Sequence, residues 1–228
     1  MIDSGAFSAW NSGAEITLDA YVDACKHALE LPFPPDEIFA LDVIGDWQAG
    51  LRNTEEMWRR GIEAIPCFHI GEPWEVLKGL ARNYPKIALG GVAKSTPQTK
   101  LKFAEECFAR VWPKRMHGFS YCFKSAVLGL PWDTVDSTSW FLQALRYRRF
   151  VGINGGAHCR GVKEPTSLVA EIDFYLQLEG LARLRWKGTW EKQKDGRGGP
   201  LLYLAYRGGK VTGFEKTLSA DKKERVKQ

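Results

Sequence analysis

The chain lacks any run of about 18 consecutive apolar residues, the length a helix needs to cross a bilayer, so no membrane-spanning helix and no membrane partner is expected. It does not begin with a basic segment followed by an apolar one, so no signal peptide is expected either. Cysteines are few and odd in number: Cys25, Cys67, Cys107, Cys122 and Cys159 are scattered, with no CxxC or CxC pair among them. That speaks against a disulfide framework and against a zinc ribbon, and for free thiols in a reducing, cytoplasmic compartment. No GxGxxG follows the first strand and no GxxxxGK[ST] occurs, which weakens the nucleotide-binding open sheets. Internal repeats and low-complexity stretches are also missing.

What remains is a chain of 228 residues, 44% of them apolar, enough for a sizeable core. Basic residues number 32 against 27 acidic, a net charge of +5. Much of the excess lies in "RYRRF" and from Lys192 to Gln228. A basic edge suits a polyanion such as nucleic acid; solvated surface charge is the plainer account on charge alone.

The first two-thirds has a beat. "IFALDVIGD" reads as a strand ending at Asp42, and "TEEMWRRGIEA" as an amphipathic helix with Thr54 beside its start. "AIPCFHIGE" is a strand with His69 near its end, and "PWEVLKGLARN" a helix with Pro73 in its first turn. "KIALGGVAK" is a strand running into a glycine pair. "TPQTKLKFAEECFARVW" is a helix with Thr96 as N-cap and Pro97 at its first position. "RMHGFSYC" is a strand, and "WDTVDSTSW" holds a short one ending at Asp136.

Strand, loop, helix, strand at spacings of roughly 20–30 residues is the rhythm of parallel βαβ units. A barrel and a doubly wound sheet both fit it. Asp3, Asp42 with Asp46, His69, Gly90 with Gly91, His117 and Asp136 all fall at or just past strand ends. A barrel gathers such positions on one face, whereas an open sheet spreads them along an edge, so the expected fold is an α/β barrel. The expected division is a barrel over 1–160, then a helix, a β-hairpin around "RGG" and a basic tail over 161–228.

Asp3 and Asp136 are the carboxylates that stand out, with Asp133 three residues before the latter. Two carboxylates in one site can divide nucleophilic attack on a sugar from proton transfer. Each taken alone is better read as a cap on the next helix. Gly90–Gly91 lets backbone approach a flat ligand, or simply makes a tight turn. His69 and His117 suit a structural role unless two or three partners converge on them to hold a metal.

These residues carry a resemblance. "DSGAFSAW" resembles the "DSGGFQ" signature of the tRNA-guanine transglycosylases, and "KIALGGVAK" their "ALGGLAVGE" segment. "FALDVIGD" is similar to the strand whose Asp binds the base, and "DTVDSTSW" stands at the place of the nucleophile loop, in the same order. The pair "DSGAFSAW" and "VDSTSW" resembles a short phage and bacterial branch, queuine tRNA-ribosyltransferase-like, that includes DNA transglycosylases inserting 7-deazaguanines. The likeness covers roughly residues 1–150 and implies an irregular (β/α)8 barrel.

The resemblance implies that Asp136 attacks C1′ of a guanine nucleotide, leaving a covalent sugar ester, and that Asp3 manages the proton of the incoming base. It implies that Asp42 bonds the base edge, that Gly90, Gly91 and Val92 grip the heterocycle through backbone, and that His69 also touches it. Ser4 aims Asp3, and Phe7 stacks on the base. The partners implied are DNA, with tRNA the weaker acceptor, and a 7-deazaguanine of preQ0 type. The location implied is the cytoplasm, that of the host for a phage protein. The target base must leave its stack.

Three departures follow. The CxCxxC-plus-His zinc cluster of the tRNA enzymes is missing, so neither a structural zinc nor another cofactor is expected. The Arg-rich segment differs, leaving Arg146, Arg148 and Arg149 for phosphate contacts. The strand that precedes the first motif in the family is absent, so the barrel lacks it, or another element or a homodimer partner closes the edge. A nucleoside or glycoside hydrolase using the same carboxylates, and a non-catalytic nucleic-acid binder, are the other classes.

Overall fold

The computed structural model describes residues 1–138, 141, 149–151, 157–159, 164–194, 201–207 and 210–217. The chain is mixed α/β and forms two compact units, Met1–Gly91 and Val92–Gln228.

In the first unit the parallel strands follow one another in chain order. Ile2 bridges Ile38, Phe39 bridges Ile65, and β1 (Cys67–His69) pairs with β2 (Lys86–Gly90) in the register Cys67–Ala88, Phe68–Leu89 and His69–Gly90. Every residue of β2 is buried, as expected of a parallel strand covered on both faces. Lys86 is held there by the carboxylate of Glu37. Three helices precede β1: α1 (Ala6–Ser12), α2 (Leu18–Leu29) and α3 (Trp47–Arg59); α4 (Trp74–Asn83) joins β1 to β2.

Local chemistry explains the helices. The Thr17 hydroxyl accepts the Ala20 N–H at 3.3 Å and caps α2, which buries Tyr21, Val22 and Cys25. These pack with Ile38, Leu41, Met57 and Ile62, and the Tyr21 hydroxyl donates to the Phe39 carbonyl at 2.7 Å. Burying each such aliphatic or aromatic side chain contributes about 1.5–3 kcal/mol. Helix α4 starts after Pro73 and buries Leu77 and Leu80, one turn apart.

One expectation is corrected here. Thr54 is not near the start of its helix. It lies buried inside α3, its hydroxyl donating to the Gly50 carbonyl at 2.9 Å. Asp46 makes the cap instead, its carboxylate accepting the Ala49 N–H at 3.0 Å.

In the second unit, α5 (Pro97–Val111) begins as its cap predicts, with the Thr96 hydroxyl accepting the Thr99 N–H at 3.2 Å. Strand β3 (Arg115–Gly118) leads through α6 (Lys124–Gly129) to β4 (Thr134–Val135), parallel to it with His117 opposite Thr134. The chain continues through the antiparallel pair β5 (Arg149–Val151) and β6 (Ala157–Cys159) and the long helix α7 (Glu164–Lys194). It then forms the hairpin of β7 (Leu201–Arg207) and β8 (Lys210–Thr217); the glycines of the expected turn, residues 208 and 209, lie outside the described residues. Helix α7 buries Phe174, Leu178, Ala182 and Trp186 at four-residue steps against Val127, and the Trp186 indole donates to the Val127 carbonyl at 3.3 Å. Val169, Leu176 and Leu184 on the same helix are exposed, so its apolar residues form no single stripe.

Candidate active site

The chemistry of the first unit collects where its parallel strands end. Asp3 follows the bridging residue Ile2, Asp42 lies just past Phe39, His69 is the last residue of β1, and Gly90 the last of β2. Asn53 of α3 donates to the Leu41 carbonyl at 2.9 Å, which pins the backbone immediately before Asp42.

Four side chains are joined in a run. The Ser4 hydroxyl, buried, donates to Asp42 Oδ1 at 3.2 Å and accepts the Ala6 N–H at 3.3 Å. Asp42 Oδ2 lies 2.8 Å from His69 Nε2, and His69 Nδ1 lies 3.1 Å from Glu72 Oε1. Both imidazole nitrogens therefore face carboxylates, an arrangement that suits a doubly protonated ring. Burial opposes that charge; Cys67 and the hydrogen bonds to Asp42, Cys67 and Glu72 outweigh it and hold the His69 pKa above the ordinary histidine value. Burial pushes the Cys67 thiol up to about 11, with His69 pulling the other way.

Asp3 is open to solvent. Partial enclosure by protein, then repulsion from Asp42, raise its pKa above the usual carboxylate value, while the N–H groups of Gly5 and Ser4 pull it down. Gly5 stands at φ 71°, the left-handed region, where only glycine is unstrained. This turn starts α1, on which Phe7 is exposed with its ring centroid 6.3 Å from that of Trp10.

The glycine pair has a reason of its own. A Cβ on Gly90 would lie 2.7 Å from Cys67 Sγ and 2.9 Å from His69 Cδ2. Gly91, at φ 72°, would place one 2.9 Å from His69 Cβ. The bare backbone of β2 thus makes room for the two side chains of β1. Val92, the first residue of the second unit, is buried, and its carbonyl accepts the Ser95 N–H at 2.9 Å.

In the second unit, Asp136 follows β4. Its Oδ1 accepts the Ser120 N–H at 3.0 Å and lies 3.9 Å from Nε2 of the fully buried His117, whose Nδ1 is 2.8 Å from the Thr134 hydroxyl. Ser120 adopts φ 62°, an uncommon conformation for a residue with a side chain. Burial, then the Asp136 charge, pushes the nearby Cys122 thiol up to about 12. Asp133 is engaged elsewhere, in a two-point ion pair with Arg115 at 2.9 and 2.8 Å. Arg149 stands in β5 opposite Cys159; Arg146 and Arg148 lie outside the described residues.

Sequence reasoning passed over Glu72 and Cys67. Cys67 is two residues before His69 on one strand, so period two alone places both on one face. Glu72 reaches back across a turn made by Gly71 at φ 95°, which no periodicity announces.

Comparison of the chain with protein-family models, with curated proteins and with solved structures finds no match.

Proposed function

We propose that this protein is a transglycosylase that exchanges guanine in DNA for a 7-deazaguanine base of preQ0 type, on a scaffold of (β/α)8 kind. The observation that carries the reading is the bonded run Ser4–Asp42–His69–Glu72, ending beside the bare strand end at Gly90. A guanine-like ring offers N–H donors and a carbonyl acceptor along one edge. A carboxylate accepts from the N–H donors of that edge, and the imidazole bonded to Asp42 fixes the carboxylate's orientation.

In this reading Asp136 is the nucleophile. Its carboxylate attacks C1′, the bond to guanine breaks with the departing base taking the proton of the Asp3 carboxyl, and a covalent ester to the sugar forms. The Ser120 N–H on Oδ1 orients the carboxylate. The incoming base loses a proton to Asp3 and attacks the same carbon, releasing Asp136. A carboxyl whose pKa is raised above the usual carboxylate value by enclosure and by Asp42 holds a proton more readily, which suits it to exchanging one. Asp42 reads the base, with His69 fixing its orientation, and Phe7 offers an exposed ring for stacking.

The test is nucleoside mass spectrometry on DNA carrying labelled guanine, incubated with the protein with and without a 7-deazaguanine base. Label released only when that base is present, with the base appearing in the DNA, is the expected result. Release into water alone would mean a hydrolase, and no release with any 7-deazaguanine, in DNA or tRNA, would overturn the reading. Asp136→Asn should abolish both exchange and any covalent protein–DNA adduct.

A further inference from the structure

We propose that Asp42, Cys67 and His69 form a binding site for one divalent transition-metal ion of the zinc type. The ligand atoms of the three residues all lie within 4.8 Å of one another. Zinc bonds of about 2.0–2.3 Å in tetrahedral geometry set ligand atoms roughly 3.4–3.7 Å apart, so an ion needs only small side-chain shifts here. A thiolate, an imidazole and a carboxylate together suit zinc or cobalt and are a poor set for magnesium or calcium, which prefer oxygen alone.

Three further features bear on the site. Glu72 Oε1 holds His69 Nδ1, leaving Nε2 as the nitrogen aimed at Asp42; metal-binding histidines are commonly oriented by such a carboxylate. Glu72 Oε2 is buried and has no hydrogen-bond partner, so negative charge beside the imidazole is only partly compensated. Gly90, without a Cβ, lets the thiol and imidazole converge against its backbone, since a Cβ there would lie 2.7 Å from the sulfur and 2.9 Å from the ring.

Entry of the ion displaces the proton between Nε2 and Asp42 and the proton of the Cys67 thiol. Both go to solvent, no electron moves, and the metal accepts one lone pair from each of the three residues. Asp42 Oδ2 turns to the ion while Oδ1 keeps the Ser4 hydroxyl. The inference does not rest on base exchange, because its test reads metal rather than turnover.

The full chain, stripped with chelator, would be titrated with zinc against a chromophoric competitor and with cobalt followed by absorption. One equivalent per chain is expected, and the cobalt form should show tetrahedral ligand-field bands and a thiolate-to-cobalt charge-transfer band. Cys67→Ser should remove the charge-transfer band, and Cys67→Ser, Asp42→Asn and His69→Gln should each weaken zinc binding at least about tenfold; Glu72→Gln should weaken it by about 10–100-fold. Cys25→Ala, which alters a thiol outside the cluster, should leave the spectrum unchanged. Circular dichroism of each metal-free variant identifies any that fails to fold. Wild-type protein saturated with cobalt but lacking the thiolate band would overturn the proposal without any variant. So would a band that survives in folded Cys67→Ser.

Discussion

Gly90 stands opposite His69 in the strand register, yet Cys67 reaches so close to it that a single methyl group on the glycine would sit 2.7 Å from the sulfur. Gly90→Ala therefore forces Cys67 and His69 off their present positions and should destabilise the chain by about 1–3 kcal/mol, as overpacking does. Urea denaturation would measure it. Adding Cys67→Ala to Gly90→Ala should recover part of the loss, because the sulfur is the nearest obstacle. Additive losses in the double variant would show that the clash lies elsewhere.

Asp3 offers a pH dependence with a definite sign. Its pKa is higher in the folded chain than in the unfolded one, first through partial enclosure of an otherwise solvent-open carboxyl and then through Asp42. Folding thus favours the neutral carboxyl. The resulting penalty is absent below the unfolded value of about 3.9 and complete above the folded one. Asp3→Asn should be more stable than wild type at pH 7 and no more stable near pH 3. A gain that is the same at both values would rule out the charge as its source. The same variant should lose base exchange at every pH.

Trp186 anchors α7 onto α6 through its buried ring and its bond to the Val127 carbonyl. Trp186→Ala should cost about 3–5 kcal/mol, the usual penalty for emptying a large aromatic site. Trp186→Phe should cost less, since it keeps most of the ring volume and loses the indole donor. Thermal melts followed by circular dichroism compare the two.

How much of this is legible in the sequence depends on how local the signal is. Thr96–Pro97 announces α5 because both effects act within one turn of the chain. The strand ends at Asp42, His69 and Gly90 are legible because a buried parallel strand is an unbroken apolar run that stops at a polar residue or glycine. Helix α2 carries an equally local signal at Thr17, yet the strand–helix rhythm draws attention past residues 18–29. Thr54 and Asp46 are both able to cap, and only the packing of Thr54 against Gly50 decides between them. In the site, Asp42 and His69 are found separately, but that they touch depends on two strands that no spacing relates. Glu72 belongs to the same class, since a turn rather than a period brings it to His69.

The order of the parallel strands in the first unit carries a consequence for synthesis. Ile2 waits for Ile38, Phe39 for Ile65, and Cys67 for Ala88, so each strand finds a partner that has already left the ribosome. Domains assemble from the N-terminus at the pace of translation, about 5–20 residues per second. The side chains of the Asp42–His69–Glu72 run all precede residue 73, and the strand that pairs with β1 to hold His69 ends at Gly90, within the first unit. The polar run can thus form on the nascent chain seconds before Asp136 is made. A ribosome stalled after the first unit would already display it.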